Sequence, residues 1–205
     1  MKSLIFRIFV VAFFINAACN NQKDNTERNS DKNLNIESSK IATNDTAEIR
    51  SVILDFYNWY NKNYEKFQDY NLYNGLKKAD APPYKINWDE VKKYQDFIRS
   101  SVPQLGEEFL TDQMTFFKKC DSAFKIDVKD EIPYGFDYDW YTNSQEDPQY
   151  LLEEINKKEN KWEISVNGNV STVKVHDEQN REYDLIVIRL KKESDKWKII
   201  KIGNE

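Results

Sequence analysis

The chain has 205 residues, of which 40% are hydrophobic and 32% are charged, as expected for one folded domain with short appendages. One histidine, two cysteines and five glycines exclude a zinc ribbon, a disulfide-rich scaffold and a glycine-rich nucleotide loop, since each needs residue types that are scarce here. The net charge is -5, and basic residues are interspersed with acids along the chain. Nucleic-acid binding needs clustered basic side chains, so no nucleic-acid partner is expected.

Residues 1–18 have the pattern of a secretory signal peptide, with a basic start, an apolar run over residues 8–15 and a closing pair of alanines. A membrane-spanning helix is the alternative, but it would need about 20 continuous apolar residues. The next residue, Cys19, resembles the lipobox cysteine of bacterial lipoproteins, with Asn16 where leucine is usual. The resemblance implies cleavage before Cys19, which becomes the new N-terminus, modification of its thiol with a diacylglycerol that carries chains such as palmitate, and an anchored protein of the cell envelope.

Residues 19–45 are rich in asparagine, contain no aromatic residue and cannot bury enough surface to offset their ordering entropy. This composition predicts a flexible tether ahead of a domain over residues 46–205. The stretch Gln22-Lys23-Asp24 resembles the acidic, lysine-containing export signals of outer-membrane lipoproteins that are exposed at the cell surface. An ordinary polar linker remains the alternative reading of these three residues.

Apolar periodicity predicts three helices in the first half of the domain. The first covers residues 46–69, with Asp45 and Glu48 as a capping box. A loop with Gly75 and a Pro82-Pro83 pair follows. The second helix is predicted to be capped by Asn87, and Pro103 is predicted to lie near the start of the third helix. The side chains expected to face the core in these two helices are Trp88, Val91, Tyr94, Ile98, Leu110, Met114, Phe117, Cys120 and Phe124.

The C-terminal part changes to a period of two residues. Alternating apolar residues on both sides of Asn167-Gly168 predict a β-hairpin. A third strand is expected over residues 183–190 and a fourth over residues 197–202, joined by the turn Glu193-Ser194-Asp195. Helices followed by an antiparallel meander predict an α+β fold, with helices packed on one face of a curved sheet.

This order of elements, together with Asp137, Asp139, Gln145, Glu146 and the closing tryptophan-containing strands, resembles a family of bacterial lipoproteins of unknown function. That family has the nuclear-transport-factor-2-like, or cystatin-like, cone fold. The resemblance implies a pocket between the helices and the concave sheet. It implies no reaction, because this fold carries both enzymes and binding modules.

The segment of residues 134–147, called the acidic loop below, alternates aromatic residues with acids. Carboxylates beside ring faces suit a cationic or polyhydroxylated ligand, which is either a small molecule or part of a protein. The candidate ligand-binding residues are Asp137, Tyr138, Asp139, Trp140, Gln145 and Glu146. In an extended segment the rings would lie on one side and the carboxylates on the other.

Three alternatives to a ligand site stay open for the acidic loop. The first interpretation is a solvated acidic surface, and the second is the beginning of a calcium site. In the third, Asp137 and Asp139 form the acid-base pair of a small enzyme. A non-catalytic binding or interaction domain is the first hypothesis, and the enzyme is the second. No cofactor, resident metal or catalytic residue is assigned. Cys120 is expected to be buried as a small apolar side chain, and the His176 side chain is expected to be exposed.

The lipid anchor can be tested on the two cysteines of the chain. Cys19→Ser should release the protein from the membrane fraction and abolish palmitate labelling, because the acylated thiol is the predicted anchor. Cys120→Ala is the matched control and should keep both properties. Equal labelling of the Cys19→Ser variant and the unaltered chain would contradict the prediction.

Overall fold

The computed structural model describes residues 30–78, 81–126, 128–129, 132–177 and 183–203, with side chains from Asn44 onward. The chain divides into two compact units, residues 1–38 and residues 39–205. Only residues 30–38 of the first unit are described, and their backbone is helical. The predicted signal peptide and Cys19 lie outside the described residues.

The first helix, α1, spans Ser30–Gln68 and therefore starts earlier than the predicted residue 46. No glycine or proline interrupts residues 30–68, so no strong helix-breaking signal occurs at residue 45. The flexibility proposed for residues 19–45 stays a prediction. The buried residues on this helix include Ile49, Ile53, Phe56, Tyr57, Tyr60 and Phe67.

Asp45 is not the cap of this helix, as the sequence pattern suggested, but an interior residue that contacts the sheet. Its Oδ1 accepts hydrogen bonds from Lys192 Nζ at 2.7 Å and from Trp197 Nε1 at 3.2 Å. The hydrogen bond from Lys192 is the largest cause that lowers the pKa of the Asp45 carboxyl, against the opposing effect of burial. Nearby, the Arg50 guanidinium lies 4.6 Å from the ring centroid of Trp162.

The segment after α1 contains two short strands where a loop was predicted. Strand β1, Tyr73–Gly75, pairs antiparallel with β2, Tyr84–Ile86. The next helices are α2, Trp88–Ser101, and α3, Glu107–Ile126, close to the predicted positions.

One residue of the predicted buried face of α2 is placed differently, because Trp88 in the first turn is 40% exposed. Asn87 occupies the cap position of α2 without a side-chain capping hydrogen bond. In α3, Met114 is only partly buried, whereas the remaining predicted core residues of both helices are buried.

A fourth helix, α4, spans Pro148–Asn156 and was missed by the sequence analysis. The Asp147 side chain accepts a hydrogen bond from the backbone N–H of Gln149, and Pro148 occupies the first helical turn. Both are ordinary start signals for a helix, so the local sequence did contain the information.

The C-terminal sheet consists of β3 (Lys161–Asn167), β4 (Val170–His176), β5 (Asp184–Glu193) and β6 (Lys196–Ile202). They form an antiparallel meander in the order β3-β4-β5-β6. The first hairpin turns at Gly168, with φ +60°, and Asn169, one residue later than predicted, since Asn167 pairs with Val170.

The described chain is thus α+β, as predicted, with most of its helical residues ahead of the antiparallel sheet. Ile188, Leu190 and Ile199 belong to the same hydrophobic core as the helices. The outer edge of β6 is covered by the segment between α2 and α3, because Ile199 exchanges backbone hydrogen bonds with Gln104 and Gly106.

The contact between Asp45 and the sheet predicts an acid-sensitive contribution to stability. At pH 7, Asp45→Ala should lower the free energy of unfolding by about 1–3 kcal/mol, because the buried Trp197 indole loses its acceptor. Since the pKa of Asp45 is lowered in the folded state, its contribution is present above the unfolded pKa and is lost as the pH falls through the folded pKa.

The difference in free energy of unfolding between Asp45→Ala and the unaltered chain should therefore shrink toward pH 3. Denaturant titration measures this difference. Asp55→Ala, which removes an exposed acid from the same helix, is the control and should change stability by less than about 0.5 kcal/mol. A difference that stays constant between pH 7 and pH 3 would contradict the ionic part of the prediction.

Candidate functional site

The acidic loop is a series of turns and not an extended strand, so the predicted separation of rings and carboxylates is wrong. The backbone N–H of Asp139 donates to the carbonyl oxygen of Ser144 at 2.8 Å, which folds the chain back on itself. The two acids lie in different environments, because Asp137 is exposed and Asp139 is largely buried. They do not form a matched acid-base pair on one face.

Asp139 is held by three hydrogen-bond donors. Its Oδ2 accepts from the Tyr60 hydroxyl at 2.7 Å, and its Oδ1 accepts from the backbone N–H groups of Tyr141 at 2.7 Å and Thr142 at 3.4 Å. Burial raises the pKa of the Asp139 carboxyl, and these donors oppose the shift without cancelling it. Burial, followed by the charge of Asp139, also raises the pKa of the Tyr60 hydroxyl.

Tyr141 connects the acidic loop to three helices. Its backbone carbonyl accepts a hydrogen bond from the Tyr57 hydroxyl on α1 at 2.9 Å. Its own hydroxyl lies 2.7 Å from that of Tyr94 on α2 and accepts from Gln113 Nε2 on α3 at 3.1 Å. Burial raises the pKa of the Tyr141 hydroxyl, so these contacts join neutral phenols.

Trp140 and Gly135 attach the loop to α3. The indole Nε1 of Trp140 donates to the carbonyl oxygen of Gly135 at 2.7 Å, and its ring lies edge-on to Phe117 with centroids 5.0 Å apart. Gly135 has φ +80°, and a Cβ there would lie 3.1 Å from Cys120 Sγ and closer still to the ring of Phe116. Glycine is therefore required at this position on both conformational and steric grounds.

A cavity of about 760 Å³ opens between α1, β1 and the acidic loop. All six residues proposed from the sequence as ligand-binding are among its lining residues, although binding itself stays a prediction. The other described lining residues are Tyr60, Tyr64, Phe67, Gln68, Tyr70, Asn71, Leu72, Tyr73, Asn74, Tyr94, Phe136, Tyr141 and Ser144. We call this space the aromatic cavity.

The position of the aromatic cavity differs from the pocket implied by the cone resemblance, because no described residue of the four-stranded sheet lines it. A smaller cavity of about 480 Å³ shares Tyr138 and Trp140 with the aromatic cavity as lining residues. This second space does reach the sheet, at Ile200 and Ile202 of β6, and is closed by α3.

The chemistry of the aromatic cavity is that of rings, amides and acids. Ten of the nineteen lining residues are aromatic, and Asp137, Asp139 and Glu146 supply three carboxyl groups. Within the described lining there is no lysine or arginine. A ligand in this space would therefore meet ring faces and negative charge, which suits a cation or a polyhydroxylated molecule and disfavours an anion.

Sequence reasoning missed the walls that α1 and the following segment contribute, chiefly Tyr60, Tyr64 and Tyr73. These rings were interpreted as core residues or as a loop. An available signal was the density of tyrosine over residues 57–73, which exceeds what one buried helix face needs.

The two residues considered for other chemistry have structural roles. Cys120 is fully buried, as predicted, and burial raises the pKa of its thiol to about 12, which keeps it protonated. His176 is not fully exposed: its Nδ1 lies 2.7 Å from Asp184 and its Nε2 lies 3.2 Å from Glu163. Neither side chain belongs to either cavity.

Among the residues whose placement is described, no cluster of three or more histidine, cysteine or acidic side chains has the arrangement of a metal site. In the same part of the chain, none of the helices is both apolar enough and long enough to span a bilayer. Comparison of the chain with family models, curated proteins and solved structures finds no match. Relatives therefore assign no role to the aromatic cavity.

The close packing of the acidic loop against α3 can be tested by substituting two glycines that have positive φ angles. Gly135→Ala should lower the free energy of unfolding by about 1–3 kcal/mol more than Gly168→Ala, because only the first added methyl group meets neighbouring side chains. Both variants share the strain of placing alanine in the left-handed region. If both variants lose the same free energy of unfolding in denaturant titration, the acidic loop shifts around residue 135 to accommodate the added methyl group.

Proposed function

We propose that this chain is a lipoprotein of the cell envelope, tethered through Cys19 to the outer membrane and exposed at the cell surface, whose folded domain captures a small ligand. The aromatic cavity carries the ligand-binding part of the proposal, because it combines ring faces, amides and carboxylates in a space of about 760 Å³. Pockets of roughly 300–1,000 Å³ with a few polar groups are typical of small-molecule sites. The signal-like N-terminus supports the tether.

The finer fold assignment, a nuclear-transport-factor-2-like cone, belongs to the same proposal. Its support is the order of elements, helices followed by a four-stranded antiparallel meander. In this cone, the smaller cavity between α3 and β6 would correspond to the pocket of the fold. The aromatic cavity would be a site particular to this chain, built from α1 and the acidic loop.

The ligand-binding role can be tested by calorimetric titration of the full chain in detergent with spermidine, glucosamine and a neutral disaccharide. At least one should bind, and Tyr64→Ala should weaken its binding at least tenfold, because the half-buried Tyr64 forms part of the cavity wall. Tyr150→Ala is the control, since this exposed tyrosine on α4 does not line the cavity. Absence of heat with every compound, in a protein that unfolds cooperatively, would overturn the role.

An acid-base enzyme is the second candidate, and one observation favours it. Asp139 is a partly buried carboxyl whose pKa is raised by desolvation, and it accepts a hydrogen bond from the Tyr60 hydroxyl beside a cavity. Asp137 is not its partner, because that side chain is exposed. If the protein is an enzyme, a molecule that co-purifies with Asp139→Asn should change mass when added to the unaltered chain. If the molecule is recovered from the unaltered chain with its mass unchanged, the result favours ligand binding without a reaction.

A further inference from the structure

The carboxylate of Asp139 lines the aromatic cavity, and no described residue gives it a positively charged partner. Its charge raises the pKa of phenols on α1, on α2 and in the acidic loop itself: Tyr57, Tyr60, Tyr64, Tyr94 and Tyr141. The nearest contribution of α3 is Gln113, an uncharged amide that contacts Tyr141. Hydrogen bonds stabilise the carboxylate, but no basic side chain in the described part of the chain balances its charge.

The surroundings of the cavity add to this negative field. Asp137 and Glu146 line the same space and are exposed, and Asp147 acts together with Asp139 on the Tyr64 hydroxyl. Burial is the largest cause that raises the pKa of the Tyr64 hydroxyl, and the two acids add to it. The phenol rings near Asp139 are therefore neutral and present π-faces of negative quadrupole.

We propose that the ligand of the aromatic cavity is an organic cation of the alkylammonium or quaternary ammonium class, whose charge lies between the ring faces and the Asp139 carboxylate. This inference rests on the proposed function and names the class of ligand that the site selects. A cation gains Coulomb attraction to Asp139 and a cation–π interaction in the same position. A neutral sugar gains neither and leaves the carboxylate unbalanced.

A metal cation fits the site less well than an organic one. Calcium needs six to eight oxygen ligands, whereas both oxygens of Asp139 already accept hydrogen bonds. The described residues contain no group of three acids at metal-binding distances. Rings cannot replace oxygen ligands for calcium, but they are the preferred surroundings of an ammonium group.

Charge selectivity couples binding to protonation. Burial raises the pKa of the Asp139 carboxyl, so the free protein keeps a proton there up to a higher pH than an exposed aspartate does. A bound cation favours the ionised form, so binding releases a proton from the fraction of the protein in which Asp139 is protonated. Cation affinity should rise with pH and level off above the pKa of Asp139 in the free protein. Affinity for a neutral molecule of the same shape should not follow this curve.

The experiment compares molecules that differ in charge but not in shape. Choline and its neutral isostere 3,3-dimethyl-1-butanol form one pair, and butylammonium and 1-butanol form the other. Calorimetric titration of the full chain between pH 4.5 and pH 8 should show that at least one cation binds tenfold or more tightly than its neutral partner at pH 8. That preference should decline as the pH falls.

Two variants locate the charge. Asp139→Asn should weaken cation binding about tenfold, remove its pH dependence and leave binding of the neutral partner unchanged. Asp137→Asn, which alters an exposed acid of the same cavity, should lower cation affinity less than threefold and keep the pH dependence. If Asp139→Asn does not fold, the proposal is tested by the unaltered chain alone, through its preference for cations over neutral partners and the pH dependence of its cation affinity.

The outcomes separate this inference from the function on which it rests. Neutral partners that bind as tightly as the cations, or a disaccharide that binds when no cation does, would overturn the cation assignment and leave the ligand-binding role intact. Cation affinity that is independent of pH would also overturn it, because Asp139 would not be the balancing charge. If no charged or neutral compound binds below 10 mM to folded protein, both proposals fail.

Discussion

The hydrogen-bonding requirement of one buried tyrosine organises the helical part of this domain. Tyr141 is almost fully buried, so its hydroxyl and its carbonyl need partners inside the protein. Those partners are Tyr57 on α1, Tyr94 on α2 and Gln113 on α3. A buried polar group without a partner costs about 1–3 kcal/mol, so arrangements of the three helices and the acidic loop that leave Tyr141 without these partners are disfavoured.

The position of Tyr141 also determines the state of Asp139, two residues earlier. Seating Tyr141 among the helices carries Asp139 into the interior, where the backbone N–H of Tyr141 and the Tyr60 hydroxyl stabilise its carboxylate. The same turn leaves Asp137 in solvent. Two acids that look equivalent in the sequence thus acquire different environments, which is the usual way in which one loop supplies distinct chemical groups.

Periodicity predicted the elements whose signals are local, and failed where the partners are distant. The hairpins follow from alternation and turn residues, so β3 to β6 were placed within a few residues. Asp45 has the local pattern of a cap, but its partners Lys192 and Trp197 lie in the C-terminal sheet, which no local pattern can reveal. The candidate residues of the acidic loop were found from composition, whereas Tyr60 and Tyr64 reach the cavity only through tertiary packing.

Keeping Asp139 in the interior opposes stability, because an aliphatic side chain of similar volume would avoid the desolvation of a carboxylate. Its three hydrogen-bond donors recover only part of that cost, as the raised pKa of its carboxyl, caused by burial, indicates. Lysines are abundant in this chain, yet none of the described residues that line the cavity is basic. A salt bridge would have stabilised the carboxylate but would also have blocked it. In the described lining the carboxylate has only hydrogen-bond donors as partners, which is the arrangement that the proposed binding of a cation requires.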